Sequence, residues 1–209
     1  MGKQKYYVVW EGRKKGVFTS WNECKKQING LKGVKYKSFK TKEVAEKAFK
    51  GNYEDYIGKK INETTLSKEE LAKIGKPILN TISVDGACNN KGVSEYQGVY
   101  TDTKTELFHQ GPFKGGSNNL MEFLALVHAL AYCKQHKLDL AIYSDSRTAI
   151  SWVRRKAIKT TIKKTNENKK IFELVNRALT WLKTNIYKNK ILKWETKAWG
   201  EIPADFGRK

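Results

Sequence analysis

The sequence predicts an α/β protein in which a small α/β unit precedes a larger unit built on a mixed five-stranded sheet flanked by helices. Two observations predict the larger unit. Three short β-rich runs joined by turns follow residue 78, and helical and strand-like segments then alternate to the end of the chain. Antiparallel strands followed by such alternation indicate a mixed sheet with helices on its faces. A separate, aromatic-rich pattern in the first 50 residues predicts the smaller unit.

The first unit is expected over residues 1–50 with the element order ββαβα. Ser20 and Glu23 have the spacing of a capping box, which predicts that a helix begins there. Alternating apolar residues predict the strands, and apolar residues at helical spacing predict a second helix. The predicted strands are 6–10, 17–18 and 34–39, and the predicted helices are 21–30 and 41–49.

A linker is expected over residues 51–78, where no period persists. Ser67 and Glu70 form a second capping box, which predicts one short helix inside the linker. Gly75 and Pro77 then end that helix.

The second unit is expected over residues 79–209. Its first long helix carries apolar residues at Leu120, Leu124, Val127 and Ala131, the spacing of one helical face. The predicted strands are 82–84, 96–100, 106–110, 138–143 and 191–194, and the predicted helices are 119–136, 146–155 and 169–184.

The charge is strongly positive. The chain has 41 Lys and Arg against 21 Asp and Glu, a net charge of +20, and 14 of these basic residues lie in the first 50 positions. Such an excess indicates a polyanionic partner, either nucleic acid or an anionic membrane surface. No run of 18 apolar residues and no signal-peptide pattern is found, so we expect a cytoplasmic protein without membrane association, with the nucleus or an organelle as open alternatives. The three dispersed cysteines predict free thiols rather than a zinc site or disulfides.

Four acidic residues far apart in sequence are the strongest indication of chemistry. They are Asp85 in a strand, Glu122 near a helix start, Asp145 at a strand end and Asp205 in an expected C-terminal helix. Brought together, four carboxylates repel one another unless cations lie between them, and hard divalent cations prefer oxygen ligands. Paired metal ions of this kind cleave phosphodiesters. Taken singly, Asp85 could be a structural partner of a lysine, and Glu122 a first-turn acid favoured by the helix dipole.

Sequence motifs around these acids resemble the type 1 ribonuclease H catalytic domain. They are Ser83-Val-Asp-Gly-Ala-Cys88, Ser117-Asn-Asn-Leu-Met-Glu-Phe-Leu-Ala125, Tyr143-Ser-Asp-Ser-Arg-Thr-Ala149 and Ala204-Asp205. The first 50 residues resemble the hybrid-binding domain that precedes many such enzymes. The matching stretches there are Tyr7-Val-Val-Trp10, Gly12-Arg-Lys-Lys-Gly-Val-Phe18 and Ser20-Trp-Asn-Glu-Cys24.

The resemblance implies an endonuclease that cuts the RNA strand of RNA·DNA hybrids and leaves 5′-phosphate and 3′-hydroxyl ends. It implies that Asp85, Glu122, Asp145 and Asp205 hold two Mg²⁺ ions, with Mn²⁺ as a substitute and Asp85 bridging both. The partner would be the hybrid, and we expect a monomer without a protein partner. Two rival functions stay open: an integrase- or transposase-like enzyme that cuts DNA, and a non-enzymatic protein that binds hybrids or double-stranded RNA.

The family pattern is not matched everywhere. Many members place a histidine shortly before the last Asp, whereas His109, His128 and His136 all lie far from it and are not expected to have a specific role. Some members with the same Trp-Gly-Glu sequence use the Glu, so Glu201 is the expected replacement.

Substrate contacts are also implied by the resemblance. For Trp21, a place in the core of the small unit and stacking on a sugar are equally good interpretations. The basic run 154–170, with eight Lys and Arg and one Glu, is expected to lie along a nucleic-acid backbone. The implied contact residues are Trp21, Tyr36 and Lys37 in the first unit and Asn90, Ser117, Asn119, Thr160 and Thr161 in the second.

Overall fold

A computed structural model describes residues 4–57, 64 and 66–207. The chain divides into two compact units, Met1–Lys73 and Ile74–Lys209. Residues 58–63 and 65 of the expected linker lie outside the described residues. The boundaries expected at residues 50 and 78 therefore stay predictions.

The first unit contains a three-stranded antiparallel sheet in the order β2-β1-β3, with the helices α1 and α2. The order ββαβα along the chain confirms the predicted one. A single 3₁₀ turn, Tyr53–Asp55, follows α2. The elements are β1 (Tyr6–Glu11), β2 (Gly16–Phe18), α1 (Trp21–Ile28), β3 (Lys35–Phe39) and α2 (Lys42–Phe49). Helix α3 (Lys68–Ile74) follows and ends at the first residue of the second unit.

Both predicted capping boxes begin helices. The Ser20 hydroxyl accepts a hydrogen bond from the Glu23 amide at 3.2 Å. At α3 the bonds are reciprocal, because the Ser67 hydroxyl accepts from the Glu70 amide at 3.2 Å and the Glu70 carboxylate accepts from the Ser67 amide at 2.7 Å. Each bond satisfies a backbone donor that the first helical turn leaves without a partner.

Aromatic side chains fill the core of the first unit around Trp10. Its ring lies 5.4 Å from that of Tyr53 and 5.7 Å from that of Tyr56, and its indole N–H donates to the carbonyl of Ala48. Tyr53 and Tyr56 belong to the stretch expected to be linker. A local pattern cannot reveal them, because both pack on Trp10, more than 40 positions earlier.

The second unit confirms the predicted mixed sheet, with five strands in the order β6-β5-β4-β7-β8. The first three strands in sequence pair antiparallel, and β7 and β8 are parallel to β4. Its elements are β4 (Thr81–Cys88), β5 (Val93–Tyr100), β6 (Glu106–Lys114), α4 (Asn118–Gln135), β7 (Ala141–Ser144), α5 (Arg147–Arg155), α6 (Lys169–Thr184), β8 (Ile191–Lys193) and α7 (Thr196–Trp199).

Helix α4 forms the centre of the core. The sequence predicts one apolar face, yet α4 is buried on most of its surface because it packs against β4, α5 and α6. A helix that is apolar on nearly every side is buried in this way. No helix within the described ranges combines the length and the apolar character needed to cross a membrane.

The prediction that Asp205 lies in a C-terminal helix is wrong. Helix α7 ends at Trp199, where Gly200 adopts a positive φ of 81°. Such a glycine commonly ends a helix, and Pro203 cannot donate the backbone hydrogen bond that a continuing helix needs. Asp205 therefore lies in a segment without regular secondary structure.

Candidate active site

Strand β4 and helix α4 bring the first two carboxylates together. Asp85 lies within β4, and the next residue, Gly86, faces α4 at very short range. A Cβ atom at Gly86 would lie 2.3 Å from the backbone nitrogen of Glu122 and 2.4 Å from the carbonyl carbon of Met121. Only glycine permits this approach, and it places Glu122 beside Asp85.

The third carboxylate follows the end of β7. This strand is parallel to β4 with Ser83 opposite Tyr143, so the register continued by two residues places Asp145 beside Asp85. The chain then enters α5, whose N-terminal residue Ser146 accepts a hydrogen bond from the Ala149 amide at 3.1 Å. This cap fixes the backbone that carries Asp145.

These elements produce a compact acidic cluster. One carboxylate oxygen each from Asp85, Glu122 and Asp145 lie within 4.8 Å of one another. The cluster lines a cleft of about 240 Å³ that also contains Asp205. The four acids that are far apart in sequence are therefore neighbours in the fold.

The cluster changes the acidity of its central member. Burial, followed by the Asp145 carboxylate, raises the pKa of Asp85 from 3.8 to about 7. Glu122 and Asp205 raise this pKa further, while a hydrogen bond from the Gly86 backbone opposes them. All four carboxylates thus lie close enough to interact electrostatically.

Divalent metal ions fit this donor set. Every candidate ligand is a carboxylate oxygen, the donor that Mg²⁺, Mn²⁺ and Ca²⁺ prefer. A cation among them would offset the mutual repulsion that raises the pKa of Asp85. Asp85, Glu122, Asp145 and Asp205 are the residues that would hold such ions.

Asp205 is carried by a segment that is anchored on both sides. Ile202 is buried with Tyr143 and Trp194, and Ala204 is fully buried. The carbonyl oxygen of Ala204 accepts a hydrogen bond of 2.7 Å from the side chain of Gln97 on β5. These contacts compensate for the absence of regular secondary structure around Asp205.

Two asparagines in the cleft were not singled out from the sequence. Asn118 lines the cleft, and its side-chain oxygen accepts a hydrogen bond from the Cys88 amide at 2.7 Å. Asn89 also lines the cleft and bonds the amides of Lys91 and Val93. Asn89 adjoins the predicted contact residue Asn90, and Asn118 adjoins the predicted contact residues Ser117 and Asn119. The sequence motifs do not show which residue of each set faces the acids.

The named neighbours occupy other positions. Asn90 and Asn119 are exposed, and neither lines the acidic cleft. The Ser117 hydroxyl caps α4 by accepting from the Leu120 amide at 3.4 Å. Their nucleic-acid contacts stay predictions.

Thr160 and Thr161 lie in the extended stretch between α5 and α6. Thr160 is half-buried and Thr161 is exposed. The buried side chain of Asn168 links this stretch to the segment before α4, because its amide donates to the carbonyls of Lys163 at 2.9 Å and Gly115 at 3.2 Å. The basic stretch is thereby held near the start of α4.

Glu201 lies between α7 and Asp205 and is half-buried. It does not line the cleft that contains the four acids. Its proposed role as a replacement for the family's loop histidine stays a prediction.

A basic groove of about 520 Å³ runs beside α5. Arg147, one of the residues that line the groove, is two residues from Asp145 in sequence. The charged residues that line the groove are Arg147, Arg154, Arg155, Lys193 and Glu195.

An aromatic surface lies on the first unit. Trp21 is 42% exposed, so it is not a core residue of this unit. Its ring lies 5.9 Å from the ring of Tyr36, which is 39% exposed. Lys37 follows Tyr36 in β3 and therefore points to the other face of the strand. There its ammonium group donates to the carbonyl of Tyr56. The structure thus brings together Trp21 and Tyr36, but not Lys37.

Comparison with known protein families identifies both units. The model described as "RNase H" matches residues 79–198, and the model described as "Ribonuclease H1 N-terminal domain" matches residues 5–49. The first match covers more than half of the chain. The chain belongs to the ribonuclease H family. Asp205 lies beyond the residues matched by the family model.

Curated relatives carry the ribonuclease H name. The chain is 29% identical over 94 residues to ribonuclease H of Saccharomyces cerevisiae, a match that covers 41% of this chain and 27% of the yeast protein. It is 35% identical over 71 residues to ribonuclease H1 of Mus musculus, covering 34% and 25% of the two chains. The chain spans about a quarter of the length of these relatives.

Solved structures of ribonuclease H1 are also similar. One, LC11-RNase H1 isolated from compost, is 18% identical with a TM-score of 0.35, and the match covers 57% of this chain and 88% of that chain. Another, from the archaeon Halobacterium salinarum, is 17% identical with a TM-score of 0.34, and the match covers 56% and 87%.

Proposed function

We propose that this ribonuclease H family member is a metal-dependent endonuclease that cuts the RNA strand of RNA·DNA hybrids. The observation that carries the proposal is the cluster of Asp85, Glu122 and Asp145, whose oxygens lie within 4.8 Å of one another, with Asp205 in the same cleft. Family membership supports the same reaction. A protein that only binds nucleic acid would gain nothing from four neighbouring carboxylates, which repel a phosphate backbone.

We propose two Mg²⁺ ions, which Mn²⁺ could replace, as the cofactors. Bound there, they would activate a water molecule and stabilise the leaving 3′ oxygen, which gives 5′-phosphate and 3′-hydroxyl ends. Asp85, with which the other three carboxylates interact electrostatically, would be among the residues that hold the ions. Glu122, Asp145 and Asp205 surround it, and elements β4, α4 and β7 hold three of the four side chains in place before substrate arrives.

Substrate selection is proposed to combine charge with recognition of the ribose. The basic groove beside α5 is lined by Arg147, which is two residues from Asp145 in sequence, and suits the phosphates of a bound strand. The amide side chains of Asn89 and Asn118 line the cleft itself. Because the 2′-hydroxyl distinguishes RNA from DNA, these amides are positioned to recognise it next to the carboxylates.

The first unit is proposed to bind the hybrid as a tether. Its exposed Trp21 and Tyr36 rings offer flat apolar surfaces for sugars, and its excess of basic residues attracts phosphates. A tethered catalytic unit meets its substrate at a raised effective concentration, so successive cuts on one hybrid become more frequent.

The test is cleavage of a hybrid in which each strand carries its own label, beside matched duplex RNA and duplex DNA. With Mg²⁺ we expect cutting of the hybrid's RNA strand alone, with 5′-phosphate ends, and no cutting in EDTA. Cleavage of duplex DNA would favour the integrase-like rival. Binding without cleavage under both Mg²⁺ and Mn²⁺ would contradict the proposal.

A further inference from the structure

A row of three polar side chains crosses the sheet beside the acidic cleft. Asp85 on β4 lies opposite Gln97 on β5, and Gln97 lies opposite His109 on β6. Directly opposite residues project from the same face of a sheet. The residues preceding each of them point the other way, into the apolar core; they are Val84, Tyr96 and Phe108.

The segment that carries Asp205 lies over this row. The side-chain amide of Gln97 donates to the carbonyl of Ala204 at 2.7 Å. The ring of Phe206 lies 5.9 Å from that of His109. Asp205, between these two anchor points, interacts electrostatically with Asp85. The three consecutive residues Ala204, Asp205 and Phe206 thus interact with Gln97, Asp85 and His109 respectively.

His109 is itself held in place. Its Nε2 atom lies 2.8 Å from a carboxylate oxygen of Glu95, where the ring N–H can donate to that oxygen. Glu95 is only 6% exposed, so its carboxylate provides a fixed acceptor. A hydrogen bond to a buried, rigid partner sets the orientation of the imidazole ring.

We propose that Gln97 and His109 are positioning residues that place Asp205 at the metal site. The other three carboxylates are positioned by β4, α4 and β7, whereas Asp205 lies outside regular secondary structure and depends on side-chain contacts. Gln97 bonds the residue before Asp205, and His109 packs on the residue after it. This inference rests on the proposed function, because it gives these contacts a purpose only if the cluster binds metal.

The test replaces Gln97 with Met, which keeps the size of the side chain but removes its N–H donors. We expect Mn²⁺ binding, measured by electron paramagnetic resonance without substrate, to weaken about threefold to tenfold, the usual effect of one lost hydrogen bond. The kcat for hybrid cleavage should fall by a similar factor with KM unchanged. Gln110→Met is the control, because Gln110 follows His109 on β6 and lines an apolar groove on the other face.

A double-mutant cycle separates positioning from general stability. In an Asp205→Asn background, Gln97→Met should no longer affect Mn²⁺ binding, because the carboxylate through which it acts is gone. Hydrogen exchange supplies a second readout. The amides of Asp205 and Gly207, which bond Ile202 and the Asp205 carboxylate, should exchange faster in Gln97→Met and in His109→Ala.

A loss of thermal stability with unchanged Mn²⁺ affinity would assign these residues a merely structural role and overturn the inference. An undiminished effect of Gln97→Met in the Asp205→Asn background would do the same. If the wild-type protein does not cut hybrids while Mn²⁺ binding and exchange respond as expected, the proposed function fails and the positioning role stands.

Discussion

Asp85 is the carboxylate of the acidic cleft whose pKa the fold changes most clearly. It lies within a strand of the core sheet, half-buried, with three other carboxylates around it. Burial and the Asp145 carboxylate raise its pKa to about 7, so at pH 7 about half of the metal-free molecules hold a proton there. Metal binding has to displace that proton, which couples metal affinity to pH.

Stability of the metal-free protein should therefore fall as pH rises. The pKa of Asp85 is about 7 in the folded protein against 3.8 for the unperturbed group. The stability that its protonation contributes is therefore fully present below pH 3.8 and is lost as the pH rises through 7. Between pH 5 and pH 8 in EDTA we expect a loss of about 2–3 kcal/mol in the free energy of unfolding. Urea unfolding measures it.

Asp85→Asn supplies the control for this pH dependence. The variant should lose less stability over the same range, and at pH 8 in EDTA it should be more stable than the wild type. An equally steep decline in the variant would assign the pH dependence to other groups.

At this scale the sequence predicted the four acids because their motifs are local and specific. It did not single out Asn118 or Gln97. Asn118 lies inside a recognised motif, but only the start of α4 shows that it, rather than Asn119, faces the cleft. Gln97 acts on a residue 107 positions later, a contact that no local pattern records.

At the scale of elements, the contact between β4 and α4 sets the distance between Asp85 and Glu122. Gly86 makes that contact, since a methyl group there would overlap the backbone of both Met121 and Glu122. Backbone cannot move aside as a flexible side chain can, so the two elements would have to separate.

Gly86→Ala should consequently destabilise the folded protein strongly. We expect a loss of about 2–4 kcal/mol in the free energy of unfolding, because overpacking here displaces an element of the central core. Metal affinity should fall as well, because α4 carries Glu122 away from Asp85. Chemical denaturation and Mn²⁺ titration measure the two effects.

The matched control for Gly86→Ala is Gly75→Ala. It adds the same methyl group at a positive φ of 72° with no atom within 4 Å. It should lower the free energy of unfolding by about 1 kcal/mol, which is the strain of that backbone conformation alone. Equal costs for the two variants would contradict the close-contact account.

The aromatic pair formed by α1 and β3 should contribute to hybrid affinity but not to catalysis. For Trp21→Ala we expect the dissociation constant for the hybrid to rise roughly fivefold to tenfold, with kcat unchanged at saturating substrate. Fluorescence anisotropy measures the affinity. Leu31→Ala, which truncates a side chain of equal 42% exposure, should leave it unchanged. An unaffected Trp21→Ala variant would remove this surface from substrate binding.

Elements were predicted well where a local rule governs them and poorly where a tertiary contact does. The capping boxes at Ser20 and Ser67 begin helices because their hydrogen bonds lie within one turn. The short helix α7 gives no periodic pattern. The expected helix at Asp205 is absent because Gly200 and Pro203 interrupt it. The segment is held instead by the packing of Ile202 in the core and by the hydrogen bond to the Ala204 carbonyl.

At the scale of the whole molecule, the net charge of +20 dominates encounters with a polyanion. The acidic cleft is an exception within this basic protein, and Arg147 of the basic groove beside α5 is two residues from Asp145 of the cleft. The surrounding positive charge attracts a polyanion, whereas the carboxylates of the cleft repel its phosphates unless cations lie among them.

Hybrid affinity should fall steeply with salt. Replacing Arg154 and Arg155 together with Gln should reduce the slope of the logarithm of affinity against the logarithm of salt by about 1–2, since each lost phosphate contact removes about one unit. Lys134→Gln serves as the control. Its residue is exposed and lies about 18 Å along α4 from Glu122. An unchanged slope in the double variant would place the nucleic acid elsewhere.

Asp145→Asn is the decisive variant for a metal site built on these carboxylates, with cleavage and binding measured on the same labelled hybrid. The amide keeps the shape of the side chain and removes its negative charge. We expect at least about a thousandfold loss of RNA-strand cleavage in Mg²⁺, with the dissociation constant for the hybrid within about threefold of the wild-type value. Cleavage that persists in this variant would contradict a metal site built on these four carboxylates.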